Sequence, residues 1–141
     1  MKITKLSVLL VAVALAVPAS AEGFKLIVNA DQKTQRLSKD EVSRIFLKKV
    51  TRWDSGTEIR VVQPKVDSVV RHSFDPAVHK LPPAAVRAYW AQMVFSGRDV
   101  PPVEKANDEA IIDFVRDNPG AIGVVSEGAS LGGGVKVLEV K

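Results

Sequence analysis

The sequence contains no cysteine and only two histidines among its 141 residues. Without cysteine the protein can form no disulfide, no thiol nucleophile and no thiolate zinc site. His72 and His79 are seven positions apart with Pro76 between them, so their spacing encodes no shared metal geometry. We therefore predict no metal and no cofactor. Any binding chemistry must use hydroxyl, carboxylate, amide and cationic groups.

The sequence also has little excess charge of either sign. Lys and Arg number 20 against 16 Asp and Glu, a formal net charge of +4. This is far below the dense basic surface that neutralises several phosphates of a nucleic acid. Hydrophobic residues make up 46% of the chain and charged residues 26%, the balance of an ordinary globular domain. We expect one domain with no nucleic-acid partner.

The first residues have the pattern of a secretory signal peptide. Lys2 and Lys5 precede the uncharged apolar run 8–17, and Ala19 and Ala21 supply the small residues that signal peptidase reads. We predict cleavage after Ala21, which leaves residues 22–141 as a single exported domain. The apolar run is shorter than the roughly 20 residues needed to cross a bilayer. We therefore expect a periplasmic protein without a permanent membrane anchor.

Hydrophobic periodicity and turn residues predict four strands and four helices. The most specific local signal is a helix start in which Ser38 can cap and Glu41 can complete a capping box. Pro76 is expected to stop or kink the second helix, and 128–134 reads as a flexible loop. The predicted strands are 24–29, 59–63, 121–125 and 135–140, and the predicted helices are 38–48, 67–76, 83–95 and 107–118. The order β-α-β-α-α-α-β-β predicts an α/β fold with helices packed on one sheet.

The loop after the second predicted strand is the candidate binding site. It runs from the end of a strand into a helix N-terminus, where α/β folds bind anions through free backbone N–H groups. Ser68 can add a hydroxyl donor, Lys65 or Arg71 a positive charge, and Asp67 an acceptor for a protonated oxyanion. The candidate ligand-binding residues are Gln63, Lys65, Asp67, Ser68 and Arg71. The alternative is structural: Asp67 or Ser68 only caps the helix, and Lys65 and Arg71 are solvated.

Patterns typical of catalytic sites are missing from the sequence. No Gly-x-Ser-x-Gly elbow presents a serine nucleophile, and Val135 follows the glycine-rich run 128–134 where a Walker motif would continue with Lys and Ser or Thr. Trp90 lies at helical spacing with other apolar residues, and Trp53 follows the first predicted helix, so both are assigned to the core. No nucleophile, base and orienting group can be proposed together. We expect that the protein is not an enzyme.

Several segments in order resemble the phosphate ABC transporter substrate-binding protein family. The resemblance rests on Leu26–Asn29, on Leu37–Phe46 with the later Trp53, and on the run Asn118–Val125, and further on Arg71–Phe74, Tyr89–Trp90, Phe95–Gly97 and Pro101–Pro102. It is closest to short members that have a single periplasmic-binding-protein-like domain. The resemblance implies one α/β lobe of a type II-like periplasmic-binding-protein fold, with a mixed sheet, flanking helices and a role in transport.

The same resemblance concerns the candidate loop. Full-length members hold phosphate with a loop resembling Arg-Ser-Asp-x-Ser-Gly-Thr between a strand and a helix. Ser68 falls on the serine that precedes the glycine of this motif, Val69 on the glycine and Val70 on the threonine, while the arginine falls on Pro64 or Gln63. The resemblance implies that the ligand is phosphate or another small anion.

Two function classes follow from the sequence. In the first, the protein is an exported solute-binding protein that takes a small anion at the loop. In the second, the same fold binds no ligand and serves as an interaction or assembly module, with another envelope protein or a second copy as its partner. Val69 and Val70 favour the second class, because they supply no side-chain donor, whereas Ser68 beside Lys65 and Arg71 favours the first.

Overall fold

The computed structural model describes residues 23–141. The predicted signal peptide and its cleavage position lie outside the described residues. The strands are β1 (Phe24–Asn29), β2 (Arg36–Leu37), β3 (Arg60–Pro64), β4 (Val103–Lys105), β5 (Ala121–Ser126) and β6 (Val135–Val140). The α-helices are α1 (Lys39–Phe46), α2 (Val69–Phe74), α3 (Pro83–Phe95) and α4 (Asp108–Asp117), with a π-helical segment at Asp75–His79.

The six strands form one mixed sheet in the order β2-β6-β1-β5-β3-β4. Strand β1 is antiparallel to both β5 and β6, while β3 is parallel to both β4 and β5. Helices cover both faces, so the predicted α/β class with a mixed sheet and flanking helices is confirmed. Because β3 and β4 are parallel, their carboxyl ends meet at one edge of the sheet, the usual place for a ligand in an open α/β fold.

Alternating side chains divide the core between the two faces of the sheet. One face packs against α1, α2 and the π-helical segment, and the other against α4. Gly123 of β5 lies under α4, where a Cβ would come within 2.8 Å of Ile111, so glycine permits the close approach. The first core includes Leu26, Val28, Val42, Phe46, Trp53, Val61, Phe74 and Val124, and the second includes Ile27, Val62, Ile111, Val115 and Val125.

The capping box predicted for α1 is confirmed. The backbone N–H of Glu41 donates to Ser38 Oγ at 3.1 Å, and the backbone N–H of Ser38 donates to Glu41 Oε2 at 2.7 Å. The α-helix is shorter than predicted: it ends at Phe46, and Lys48 adopts a left-handed conformation with φ 56°. The core assignment of Trp53 is also confirmed, because its side chain is buried and its indole N–H donates to Gly120 O at 3.0 Å.

Two features differ from the prediction. Strands β2 and β4 were not predicted, because two- and three-residue edge strands are defined by their pairing and not by hydrophobic alternation. The α-helical geometry of α2 ends at Phe74, but the chain stays helical through the π-helical segment. Pro76 lacks the N–H for an i→i−4 bond, and the α-helical geometry ends just before it, as expected of a proline that stops or kinks the helix. The segment 128–134 is a loop, as predicted, and Gly133 O in it accepts from Arg116 Nε of α4 at 2.9 Å.

Candidate functional site

The β3–α2 loop is shaped by Ser68. The backbone N–H of Ser68 donates to Lys65 O at 3.0 Å and closes a turn directly after β3. Its hydroxyl oxygen then accepts the backbone N–H of Arg71 at 3.2 Å, so Ser68 is the N-cap of α2. This satisfies one of the free N–H groups of the first turn within the protein. The structure therefore shows Ser68 in the helix-capping role that the sequence offered as the alternative.

Arg71 is fixed in the interior of the protein. Its Nε donates to Asp75 Oδ1 at 3.0 Å and to Oδ2 at 3.1 Å, and its Nη1 donates to Pro64 O at 3.1 Å. The side chain of Arg71 is only 2% exposed and that of Asp75 is fully buried. The interpretation of Arg71 as a solvated surface cation is therefore wrong. Arg71 joins the end of β3 to the junction between α2 and the π-helical segment.

A buried polar chain continues from Arg71 toward α1. Asp75 Oδ1 lies 4.0 Å from His79 Nε2, and His79 Nδ1 is 2.7 Å from Ser43 Oγ. Burial raises the pKa of Asp75, and the adjacent Arg71 acts against this rise. Burial also lowers the pKa of His79 to about 4, helped by the positive charges of Arg71 and Lys49. At neutral pH His79 is therefore an uncharged link between the π-helical segment and α1.

A groove of about 550 Å³ opens beside the carboxyl ends of β3 and β4. We call it the β3–α3 groove. Gln63 and Arg71 contribute to its floor, and α3 forms one wall. Its lining residues are Gln63, Val66, Arg71, Arg87, Trp90, Ala91, Val94, Phe95, Pro101 and Glu104. The volume lies within the roughly 300–1,000 Å³ of small-molecule pockets, and the mixture of apolar walls with a few polar groups is also typical of them.

Gln63 presents polar atoms at the floor of this groove. The residue is 3% exposed, and its amide makes no side-chain hydrogen bond to any residue of the range 23–141. Yet every fully buried side-chain nitrogen or oxygen of the described residues has a hydrogen-bond partner. The amide of Gln63 therefore reaches the groove surface. Arg71 lines the same floor, and its Nη2 is the guanidinium nitrogen not used by Asp75 or Pro64.

The structure brings together two of the five residues proposed from the sequence. Gln63 and Arg71 both line the β3–α3 groove. Ser68 caps α2, while Lys65 and Asp67 are exposed on either side of Val66 and do not line the groove.

Sequence reasoning missed Arg87, Glu104 and Asp75. The i,i+4 spacing of Arg71 and Asp75 on one helical turn was the available signal for that pair. Trp90 was assigned to the core, and it is 6% exposed, but its remaining surface lines the groove.

No group of three or more His, Asp or Glu side chains within residues 23–141 is arranged to hold a metal ion. The same part of the chain contains no helix with both the length and the apolar character needed to cross a bilayer. The β3–α3 groove combines a predominantly apolar lining with the polar side chains of Gln63, Arg71, Arg87 and Glu104.

A sequence model of the PBP superfamily domain matches residues 2–133. The chain belongs to the PBP superfamily. No protein with a curated description matches it in sequence. The fold of this PBP superfamily domain is similar to solved structures of phosphate-binding transport proteins, which confirms the family resemblance seen in the sequence.

Three solved structures illustrate that similarity. An ABC-type phosphate transport receptor from Vibrio cholerae matches with TM-score 0.65 and 19% identity, over 84% of this chain and 46% of the receptor. A second match is a protein from Clostridium perfringens, assigned as a phosphate ABC transporter substrate-binding protein and solved with bound phosphate. It has TM-score 0.62 and 20% identity, over 84% of this chain and 44% of that protein. PstS from Borrelia burgdorferi matches with TM-score 0.59 and 11% identity, over 84% and 47%. The chain thus spans less than half the length of each, and the similarity shows the fold.

Proposed function

We propose that this PBP superfamily domain is an exported solute-binding protein that takes a small anion in the β3–α3 groove. The observation on which the proposal rests is the groove floor at the end of β3, where the amide of Gln63 and the guanidinium of Arg71 reach the same surface. Arg87 adds a second cation from α3. Donors that converge in a partly enclosed site are what an anion needs to replace its hydration.

The loop residues have separate roles in this proposal. Gln63 and Arg71 contact the anion, and Ser68 caps the helix on which Arg71 lies. Lys65 and Asp67 are exposed beside Val66 and outside the groove lining, so Lys65 acts on an anion only through long-range charge and Asp67 makes no contact with it. The proposed activity is binding, without catalysis, metal or cofactor, and the proposed compartment is the periplasm.

Arg87 is the residue to change in a test of this proposal. It is exposed and forms no ion pair within residues 23–141, so Arg87→Gln removes a groove cation without disturbing the core. Arg98→Gln is the matched control, because Arg98 is exposed and lies outside the groove lining.

The measurement is calorimetric titration of the purified full chain with phosphate, sulfate and short carboxylates. We expect saturable binding of at least one anion that Arg87→Gln weakens and Arg98→Gln leaves unchanged. Equal binding by the two variants would exclude the groove as the site, and no binding of any anion at millimolar concentration would refute the proposed function.

The C-terminal end of α3 favours the interaction module as a second candidate. Val94 is 52% exposed and Phe95 is 95% exposed, and both belong to a helix in which only Val86 and Trp90 are buried. A helix with apolar residues on every side normally lies inside a protein or an assembly. The candidate partners are a second copy of the chain or another envelope protein.

Light scattering on the same purified chain tests the second candidate. A stable dimer that Phe95→Ser converts to monomer, together with no anion binding, would support the interaction module. A monomer that binds an anion would exclude a second copy as the necessary partner.

A further inference from the structure

We infer that the ligand of the β3–α3 groove is a small organic anion with a single charge and an apolar body, and that inorganic phosphate is a poor ligand. This inference rests on the proposed function, because it specifies the chemical class of the anion bound at the same groove. Three features support it: the charge balance of the lining, the apolar wall and the shape of the floor.

The lining residues nearly balance one another in charge. The groove is lined by two cations, Arg71 and Arg87, and one carboxylate, Glu104. Arg71 is in addition fixed in an ion pair with the buried Asp75. A compact dianion would have to be stripped of water without the excess positive charge that compensates that loss. A single carboxylate needs less compensating positive charge than a dianion. Arg87 can also supply a planar pair of donors to it.

The wall formed by α3 is suited to an apolar body. Trp90, Val94 and Phe95 line it, and Val66 faces them from the β3–α2 loop. A tetrahedral oxyanion has no apolar surface to place against these side chains, whereas an aliphatic or aromatic group would remove both its own surface and theirs from water. The volume of about 550 Å³ also exceeds what a five-atom oxyanion fills.

The floor provides few donors of the kind that enclose an inorganic oxyanion. The α2 helix begins with Val69 and Val70, which have no polar side-chain atoms, and Ser68 Oγ already accepts from the backbone N–H of Arg71. What remains is the amide of Gln63 and the free edge of Arg71. These groups can orient one carboxylate, which offers two oxygens.

The test compares three probes on the full chain by calorimetry: phenylpropionate, its neutral analogue phenylpropionamide, and inorganic phosphate. We expect phenylpropionate to bind at least about tenfold more tightly than either of the other two, equivalent to about 1.4 kcal/mol. The difference in affinity between the acid and its amide measures the contribution of the negative charge. The difference between the acid and phosphate measures the contribution of the apolar body.

Two exposed residues provide the variants. Arg87→Gln should weaken phenylpropionate by about tenfold, and Phe95→Ser should weaken phenylpropionate while leaving any phosphate binding unchanged. Val137→Ser is the control for Phe95→Ser, because Val137 is 51% exposed on β6 and does not line the groove.

The outcomes separate the inference from the proposed function. Phosphate binding that exceeds phenylpropionate binding and depends on Arg87 would overturn the inference and leave the proposed function standing. Equal binding of the acid and its amide would overturn the single-charge requirement, and with it the inference. Failure of all anions, phosphate included, would overturn both.

Discussion

Arg71 Nε lies 3.0 Å and 3.1 Å from the two carboxylate oxygens of Asp75, in a pair that is almost completely shielded from solvent. The same guanidinium donates to the last carbonyl of β3 through Nη1. The pair therefore fixes the end of β3 relative to the helix that follows it. It also reduces the charge that Arg71 offers to the β3–α3 groove, which links the architecture of the fold to the class of ligand proposed for it.

Arg71→Ala should lower the free energy of unfolding by about 3–5 kcal/mol, because it leaves Asp75 as an uncompensated buried charge. Urea denaturation of the variant and the parent chain measures the change. The double variant Arg71→Met with Asp75→Leu is the control, since replacing both partners with apolar groups should recover most of the loss. A single variant that loses less than about 1 kcal/mol would show that the pair is not structural.

Stability should fall in mild acid because of His79. Burial lowers its folded pKa to about 4 from an ordinary value of 6.5, so the folded state binds fewer protons than the unfolded state between these values. The contribution is fully present above pH 6.5 and is lost as the pH falls to about 4, amounting to about 3 kcal/mol. Urea denaturation across this range measures it.

The variant His79→Gln isolates the histidine contribution to the pH dependence. Asp75 acts in the opposite direction, because burial raises its folded pKa: the stability it contributes is present when it is protonated and is lost as the pH rises through that folded pKa. Asp75 is present in both proteins, so the difference between their pH profiles reports on His79. Parallel profiles for parent and variant would contradict the assigned role.

Ser68→Ala should lower the free energy of unfolding by about 1 kcal/mol, because it removes the N-cap of α2. Chemical denaturation measures this change, and Ser130→Ala in an exposed loop is the matched control. We expect the anion affinity to change little, since the hydroxyl does not line the groove. Unchanged stability combined with abolished anion binding would instead make Ser68 a direct ligand contact.

Export should remove the first 21 residues. The positive start, the apolar run and Ala19 and Ala21 together predict cleavage that leaves Glu22 as the new N-terminus. N-terminal sequencing of the protein from the periplasmic fraction of expressing bacteria checks this, with Ala21→Pro as the variant expected to block processing. An uncleaved chain in the cytoplasmic fraction would contradict both the domain boundary and the proposed compartment.

Local patterns in the sequence predicted much of the fold. Ser38 and Glu41 specify the start of α1 through contacts three residues apart. Partial alternation in β1 and a short, bounded apolar run in β5 predict two buried strands. Strands β2 and β4 could not be predicted in this way, because each exists only through pairing with a neighbour distant in sequence. The π-helical segment that continues α2 contacts α1 through His79, whose Nδ1 is 2.7 Å from Ser43 Oγ, and such tertiary contacts have no local sequence signal.

The candidate site was predictable only in part. The position of Gln63 and Arg71 around a strand-to-helix loop indicated where a ligand would bind. The spacing of Arg71 and Asp75 could have shown that the cation is neutralised. No sequence signal shows that Arg87 of α3 and Glu104 of β4 line the same groove, because this depends on how a long helix folds back over the sheet edge.

The central claim is that the β3–α3 groove binds an anion, and the two tryptophans test it directly. Trp90 lines the groove, whereas Trp53 is buried in the core with its indole N–H bonded to Gly120 O. We predict that titration with phenylpropionate, followed by heteronuclear NMR, shifts the indole signal of Trp90 and the side-chain amide signals of Gln63 but leaves that of Trp53 in place. Saturable binding with all three sets of signals unmoved would contradict the assignment of the groove as the anion site.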